Sequence, residues 1–273
     1  MDKLDFLTAG MPLATGNKGY KKALEILNDI NLDGLELEFV HGVRINDVNK
    51  QLVSNSNLTK TIHAPFYINL NSKEEEKVEA SVQRIIETAR VAHEIGAFSI
   101  TYHAAFYLGM DKDVVFNQVK KQTKIISDTL SNEGIKIWFR PETTGKATQW
   151  GDLEEIINLS KEFEYVLPCV DFSHLHARYN GISNTYDEFA KIFEKIGTEL
   201  EEKNPLENFH AHIAGIAYGE KGEKHHLNLE ESDFNYKDLL KAFKDFNVKG
   251  AIVCESPNIE TDCGILKDYY VSL

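Results

Sequence analysis

The sequence has few cysteines and no long apolar run, and each shortage excludes a class of protein. Only three of the 273 residues are cysteine, and none has the Cys-x-x-Cys spacing of a cysteine-rich zinc site. Cys169 and Cys254 lie inside apolar runs, so we expect all three thiols to be reduced and structural. No apolar run approaches the roughly 20 residues of a membrane span, and the amino terminus does not resemble a signal peptide. We therefore expect a cytoplasmic protein with no membrane partner.

Positive charge is also scarce. There are 30 Lys and Arg residues against 43 Asp and Glu residues, which gives a formal net charge of −13. This balance argues against nonspecific nucleic-acid binding through bulk charge. It leaves open a local basic patch, and it leaves open an acidic site that is filled with metal cations.

Short apolar runs alternate with longer amphipathic segments along the whole chain. The eight runs cover residues 4–7, 34–40, 61–63, 98–103, 135–139, 166–171, 208–213 and 250–255. The helical patterns cover about residues 18–30, 72–95, 114–130, 153–163, 185–200 and 236–246. Eight alternating units predict parallel strands joined by right-handed crossovers. We therefore predict an α/β fold, a single (β/α)₈ TIM barrel over residues 1–273.

An open, doubly wound sheet is the alternative fold. It is weakened because no Gly-x-Gly-x-x-Gly follows the first predicted strand. For the same reason we expect no nucleotide cofactor.

Histidines and carboxylates collect where the predicted strands end. The histidines are His63, His103, His174, His210, His212 and His225, and the carboxylates are Glu142, Asp171 and Glu255. In a barrel these strand ends form the active-site face. Buried charges need partners, and a metal ion supplies one for several carboxylates at once. Mixed imidazole and carboxylate ligation suits Zn²⁺, Mn²⁺ or Fe. Glu223 adds a further ligand beside His225, so the inventory exceeds one coordination sphere and predicts two or three ions.

Six motifs, in a fixed order, carry a family resemblance. They are His-Ala-Pro-Phe-Tyr-Ile-Asn-Leu at 63–70, Tyr-His-Ala-Ala-Phe at 102–106, Pro-Glu-Thr-Thr-Gly-Lys at 141–146, Cys-Val-Asp-Phe-Ser-His at 169–174, Gly-Glu-Lys-His-His at 222–226 and Cys-Glu-Ser-Pro at 254–257. In these residues the sequence resembles the endonuclease IV family, metal-dependent apurinic/apyrimidinic endonucleases of the xylose-isomerase-like barrel superfamily, and especially its archaeal branch. The resemblance implies hydrolysis of the DNA phosphodiester 5′ to an abasic site in base excision repair.

The resemblance also implies three Zn²⁺ ions, with Mn²⁺ or Fe as possible substitutes, held by nine ligands. One ion would take His63, His103 and Glu142. A second would share Glu142 and add Asp171, Glu255 and a histidine of the seventh strand. The third would take His174, Glu223 and His225. Glu142 and Glu255 are the expected catalytic carboxylates.

The seventh-strand ligand stays open at this point. The spacing to Glu223 favours His210, whereas the position within the strand favours His212. The sequence also departs from the bacterial members, which carry aspartate where Glu223 stands. His176 lies outside the implied ligand set, and we expect it to be structural or to support a ligand.

The expected partner is duplex DNA that contains an abasic site, bound by a monomer. Recognition of a missing base rests on DNA flexibility and on side chains that fill the gap. The candidates for DNA contact are Arg44, Phe66, Tyr67, Asn69 and Arg178. Loop lysines that could neutralise phosphates are Lys18, Lys21, Lys22, Lys146, Lys221 and Lys224.

Two other functional classes compete with the nuclease. A metal-dependent sugar isomerase or epimerase of the same superfamily would need only Glu142, Asp171, a seventh-strand histidine and Glu255. The nuclease needs in addition His63, His103, His174, Glu223 and His225, and all of them are present. A noncatalytic metal-binding or scaffold protein is the third class, and the lack of cysteine pairs disfavours it.

Overall fold

The computed structural model describes residues 1–273 and contains twelve strands and nine α-helices. The strands are β1 (Leu4–Ala9), β2 (Gly34–Glu38), β3 (Thr59–His63), β4 (Ser99–Tyr102), β5 (Ala105–Phe106), β6 (Trp138–Pro141), β7 (Gln149–Trp150), β8 (Val170–Asp171), β9 (Phe209–Ile213), β10 (Gly215–Gly219), β11 (Gly222–Leu227) and β12 (Gly250–Cys254). The helices are α1 (Gly19–Asp29), α2 (Asp47–Ser54), α3 (Glu75–Ile95), α4 (Lys112–Asn132), α5 (Leu153–Glu162), α6 (Phe172–Arg178), α7 (Tyr186–Glu199), α8 (Tyr236–Asp245) and α9 (Glu260–Ser272).

Eight of the strands form one parallel sheet in the order β6, β4, β3, β2, β1, β12, β9, β8. Two further parallel bridges, Phe139 with Val166 and Glu142 with Cys169, join β6 to the residues that lead into β8. The two edges of the sheet therefore meet, and the predicted TIM barrel is confirmed. A doubly wound sheet would reverse its strand order at a switch point, and this sheet does not.

The predicted helices form because each presents an apolar stripe to the sheet. In α3 the expected face is buried, from Val78 through Val82 and Ile85 to Ala89. The left-handed Gly96 then ends the helix. None of the helices combines the length and apolar character needed to cross a membrane. The three cysteines are free and buried, as expected.

Polar side chains fill much of the barrel interior. The apolar cluster inside the barrel is small, consisting of Leu7, Ala251 and Val253, whereas the large core lies outside the sheet, beneath the helices. Buried polar residues on the same strand faces as the site residues are Glu36, Thr61, Ser99, Thr101, His210 and His212. Barrel interiors are usually filled with branched apolar side chains. This barrel instead carries its polar site deep between the strands.

Short elements that sequence periodicity does not detect shape the carboxyl-terminal face of the barrel. Helix α6 has seven residues and follows β8 directly, with Asp171 as its N-cap. The antiparallel pair β10–β11 forms a hairpin after β9, and β5 pairs with β7 in a second small sheet. The hairpin bears Glu223, His225 and His226, and it therefore determines which of these residues faces the strand ends.

Candidate metal centre

Ligands from six strands meet at the carboxyl-terminal face. Three groups of side chains each bring their ligand atoms within 4.8 Å of one another. The groups are His63, His103 and Glu142; then Glu142, Asp171, His212 and Glu255; then Asp171, His174 and His226. Glu142 belongs to the first two groups, and Asp171 belongs to the last two. Neighbouring groups are therefore linked by a shared carboxylate.

Glu142 is the hub of the cluster. Its side chain is 1% exposed, and Oε2 lies 3.2 Å from His63 Nε2. Oε1 lies 3.0 Å from His103 Nε2 and 3.1 Å from His174 Nδ1. Burial alone would raise the pKa of Glu142, but His103 and His212 outweigh it and hold the pKa well below its ordinary value. Glu142 is therefore a carboxylate at neutral pH.

Asp171 and His174 form a second dense contact. Asp171 Oδ1 accepts a hydrogen bond from the backbone N–H of His174 at 2.7 Å, while Oδ2 lies 3.1 Å from His174 Nδ1. Burial raises the pKa of Asp171 to about 7. Burial alone would lower the pKa of His174, but Asp171 and Glu142 raise it to about 10. Asp171 and His174 thus form a close carboxylate–imidazole pair, and both groups are common ligands of divalent zinc.

Of the two histidines on β9, only His212 reaches the cluster. His212 Nδ1 lies 3.3 Å from Glu255 Oε1 and 3.7 Å from Glu142 Oε1. His210 lies deeper, with its Nδ1 2.9 Å from Ser99 Oγ. Burial lowers the pKa of His210 to about 4, so its ring is neutral. The position within the strand, which favoured His212, agrees with this placement, whereas the spacing to Glu223, which favoured His210, does not.

The hairpin places His226 in the cluster and leaves His225 outside it. His226 Nε2 lies 3.4 Å from His174 Nε2, whereas His225 is exposed. The cause is a β-bulge: Ala217 pairs with His225 and Tyr218 pairs with Glu223, so Lys224 is an extra residue. Because side chains alternate along a regular strand, Glu223 and His225 would otherwise share a face. The extra residue shifts the inward position to His226.

Glu223 itself lies at the edge of the cluster. Its Oε2 is 3.7 Å from His174 Nε2. The hairpin passes so close to the loop after β6 that a Cβ on Gly145 would be 2.6 Å from Glu223 Cβ. Glycine at 145 therefore permits the close approach of the hairpin.

Two carboxylates on β2, the buried Glu36 and the partly exposed Glu38, were not among the sequence candidates. Glu36 and Glu38 point inwards, and their oxygens approach Glu255 within 4.8 Å. Burial raises the pKa of Glu38 to about 8, with Glu36 and Glu255 adding to the rise. The alternation Leu35, Glu36, Leu37, Glu38 was the signal that could have revealed them, because it sends both carboxylates to one face.

The candidates for DNA contact have different environments. Phe66 and Tyr67 are 58% and 42% exposed on the loop after β3, and their rings pack edge to face at 5.5 Å. Arg44 is exposed on the loop after β2. Asn69 Oδ1 accepts from the backbone N–H of Asn71, which shapes the same loop as the aromatics.

Arg178 differs from the other candidates because its side chain is only 3% exposed. Its guanidinium donates to the carbonyl oxygens of Lys146 at 2.6 Å and Gln149 at 3.1 Å. Its observed contacts fix the loop that contains Gly145. His176, outside the cluster, lies 3.1 Å from Asp233 Oδ1, and Tyr218 donates to the other Asp233 oxygen. These contacts tie α6 to the hairpin.

Comparison with known proteins identifies the family. A family model described as a xylose isomerase-like TIM barrel matches residues 24–269. The chain belongs to this family. It is 44% identical to an uncharacterized protein of Methanocaldococcus jannaschii over 99% of this chain and 98% of that protein. It is 24% identical to a probable endonuclease 4 of Mycoplasma pneumoniae over 78% of this chain and 74% of that protein.

Solved structures share the fold of this chain. A D-tagatose 3-epimerase-like protein superimposes with a TM-score of 0.73 at 18% identity, covering 97% of each chain. Endonuclease IV from Thermus thermophilus superimposes with a TM-score of 0.71 at 18% identity, covering 97% of this chain and 100% of that one. The barrel is thus common to proteins of both names, and the ligand set has to distinguish between them.

Proposed function

We propose that this xylose isomerase-like barrel is a metal-dependent apurinic/apyrimidinic endonuclease that cleaves DNA on the 5′ side of an abasic site. The observation that carries the proposal is the set of three linked ligand groups. A one-metal site needs only Glu142, Asp171, His212 and Glu255. The histidines on either side, which are His63, His103, His174 and His226, extend this group in two directions. The distant relationship to probable endonuclease 4 supports the same activity.

The donor set fits divalent zinc. It consists of imidazole nitrogens and carboxylate oxygens, which are common ligands of Zn²⁺. Asp171 Oδ2 and His212 Nδ1 are buried without a hydrogen-bond partner, as atoms that serve a cation would be. Three ions would change the formal charge from −13 to −7. We propose that the three groups hold three ions, with Mn²⁺ or Fe as substitutes.

The chemistry divides between the ions and the chain. When bound, clustered divalent ions supply electrostatic stabilisation of a phosphodiester under attack and a water made acidic enough to react near neutral pH. Glu142, which belongs to two ligand groups, and Glu255 would hold ions at the site. Phe66 and Tyr67 lie exposed on a loop that begins at His63, where they can stack on bases beside the missing one. Arg44 is available for a phosphate contact.

Sugar epimerisation is the second candidate function. It is favoured by the group of Glu142, Asp171, His212 and Glu255, which needs no other ligand to hold a single ion. Glu38 gives it further support, because a carboxyl with a pKa of about 8 is suited to proton transfer. The epimerase proposal requires only one or two ions per chain.

One experiment separates the two. The purified protein is loaded with Zn²⁺, its metal content is measured, and it is assayed on a duplex with a single abasic site and on ketose sugars. We expect close to three ions per chain, cleavage 5′ to the abasic site, no cleavage of the intact duplex, and loss of cleavage after chelation. One ion per chain together with turnover of a ketose would replace the nuclease by the epimerase.

A further inference from the structure

Glu36 lies inside the barrel between the two histidines of β9. Its Oε2 is 3.2 Å from His210 Nε2, and its Oε1 is 3.1 Å from His212 Nε2. On the far side of His210, Ser99 Oγ lies 2.9 Å from Nδ1. All four side chains are fully buried. They form a continuous polar row that leads from β4 to His212 at the base of the candidate metal centre.

The contacts of Glu36 favour one arrangement of hydrogens. A carboxylate oxygen can only accept, so an Nε2 atom 3.1–3.2 Å from Glu36 is favourably placed only when it carries hydrogen. With Nε2 of His210 turned to the carboxylate, its Nδ1 lies 2.9 Å from Ser99 Oγ and can accept the hydroxyl hydrogen. The two Glu36 contacts are close charge contacts, since neither oxygen meets full hydrogen-bond geometry in this structure. His210 and His212 are nevertheless the residues of β9 that the Glu36 carboxylate contacts.

His212 Nδ1 is the one imidazole nitrogen of the row with no partner inside the barrel. It faces Glu255 Oε1 at 3.3 Å and Glu142 Oε1 at 3.7 Å, on the side where the ligand groups meet. It also lacks a hydrogen-bond partner of its own. The ring is therefore directed from behind by Glu36 and presents Nδ1 to the centre.

We propose that Glu36 is a positioning residue that keeps the hydrogen of His212 on Nε2 and thereby aims the Nδ1 lone pair at the metal centre. The inference rests on the proposed metal centre, and it adds the group that orients one of its ligands. Carboxylates that hold a ligating imidazole from behind fix its tautomer and raise its basicity.

A competing arrangement uses the same residues as ligands of a separate ion. Ligand atoms of Cys169, His210 and His212 also lie within 4.8 Å of one another. Two contacts argue against it: Ser99 occupies His210 Nδ1, and Glu36 faces both Nε2 atoms. The test below distinguishes the two arrangements.

The first measurement is the nuclear magnetic resonance spectrum of protein labelled with ¹⁵N-histidine and loaded with a spin-½ cadmium isotope. We expect one-bond coupling between cadmium and His212 Nδ1, hydrogen on His212 Nε2, and no coupling at His210. Cadmium coupling at His212 Nε2 or at either nitrogen of His210 would overturn the proposal. Absence of any bound cadmium would remove the metal centre itself, and the inference with it.

The second measurement is Zn²⁺ affinity, by competition with a chelator, in two variants of similar volume. Glu36→Leu offers no acceptor and should weaken binding by about 10- to 100-fold. Glu36→Gln keeps one acceptor, so His212 should retain hydrogen on Nε2 and most of its affinity, while His210 moves its hydrogen to Nδ1 and donates to Ser99. A side chain that merely fills space would make the two variants alike, and equal losses would overturn the proposal.

Ser99→Ala is the matched control, because it removes the other end of the row without touching His212. It should leave Zn²⁺ affinity within about threefold of the parent, since His210 has no contact with an ion.

If Glu36→Leu does not fold, Glu36→Gln remains decisive: a loss in that variant as large as in His212→Gln would contradict the positioning role. Normal cleavage of abasic DNA with equal affinities in both Glu36 variants would remove this inference alone and leave the nuclease proposal in place.

Discussion

Asp171 holds His174 through two separate contacts: one carboxylate oxygen caps the backbone N–H of His174, and the other faces its imidazole. The cap starts helix α6 at the last residue of β8. The same residue that ends a barrel strand therefore fixes the first turn of a helix and the orientation of a ligand. This arrangement explains how a seven-residue helix can hold a side chain accurately at the site.

Replacement of Glu142, which two ligand groups share, should remove activity without unfolding the protein. We expect Glu142→Gln to lower cleavage of abasic duplex by more than about 100-fold. Replacing a residue that only supports a metal ligand already costs about 10- to 100-fold in metal affinity or activity. The variant should bind fewer ions, since two ligand groups lose their shared carboxylate, while its circular dichroism spectrum stays that of the parent. Near-normal activity with full metal content would show that Glu142 is not a ligand.

His225 and His226 provide a matched pair of variants. His226→Ala should lose cleavage by about 100-fold or more and bind less metal, because His226 lies against His174. His225→Ala should stay within about twofold of the parent, because its side chain is exposed on the hairpin. The reverse pattern would mean that the bulge at Lys224 moves when ions bind, and it would restore the ligand set implied by family resemblance.

Close packing of the hairpin gives a third prediction. Gly145→Ala should lower kcat by about 10- to 100-fold, because the new methyl group displaces Glu223 and a shift of about 1 Å costs that much. Gly264→Ala is the control, since a Cβ there meets nothing within 4 Å. That change should leave activity intact and should raise the free energy of unfolding by up to about 1 kcal/mol. Equal kcat values in both variants would contradict the role of the hairpin.

The exposed aromatic pair should affect duplex binding but not chemistry. The double variant Phe66→Ala, Tyr67→Ala should bind abasic duplex about tenfold more weakly, because each stacking contact contributes ~1–3 kcal/mol. Metal content should be unchanged. Cleavage of an abasic dinucleotide should also be unaffected, since that substrate has no neighbouring duplex that the aromatic side chains must hold open. Equal losses on both substrates would instead assign the aromatics to support of the metal site by packing.

An ion-pair cluster at the opposite face of the barrel gives a pH dependence. Asp33 contacts Lys3 at 2.5 Å and Lys267 at 3.0 Å, and it accepts from the backbone N–H of Phe6. Burial alone would raise the pKa of Asp33, but Lys3, the Phe6 N–H and Lys267 lower it below the ordinary value. The ionised Asp33 therefore stabilises the folded protein fully at pH values above its pKa in the unfolded chain, which is about 4. This stabilisation is lost as the pH falls through the lower pKa that Asp33 has in the folded protein.

Asp33→Asn tests this dependence. It should lower the free energy of unfolding by about 1–3 kcal/mol at neutral pH and by much less at the acidic end. Asp128→Asn is the control, because its pair with Lys124 is exposed on both sides and should contribute under about 1 kcal/mol. Urea unfolding of both variants from neutral to acidic pH provides the measurement. A constant deficit for Asp33→Asn across that range would contradict the assignment.

The parts of the site that follow from local pattern were predictable, and the parts that depend on contacts between distant segments were not. His63, Asp171 and Glu255 stand where apolar runs end, so the barrel alone brings them together. The choice between His225 and His226 depends on one bulge, and a bulge leaves no periodic signal in a six-residue strand.

Glu36 and Glu38 illustrate a different limit. Their alternation with leucines was readable, but carboxylates on a strand are usually assigned to solvent, because buried charges are costly. Only the positions of His210 and His212 across the barrel show why the charge of Glu36 is tolerated there. Arg178 is the converse case: its sequence position near a loop suggested a phosphate contact, whereas the structure buries it beneath that loop.

The polar barrel interior has a consequence for the abundance of the protein. The ligands come from strands spread between His63 and Glu255, so the ions of the proposed centre can bind only to a closed barrel. Binding to the folded state alone adds stability by mass action, about 2.7 kcal/mol for each ion present at 100 times its dissociation constant. In a cell short of zinc, unoccupied chains would open more often and be degraded faster. Metal supply would therefore control how much of this protein a cell contains, as well as how fast each molecule works.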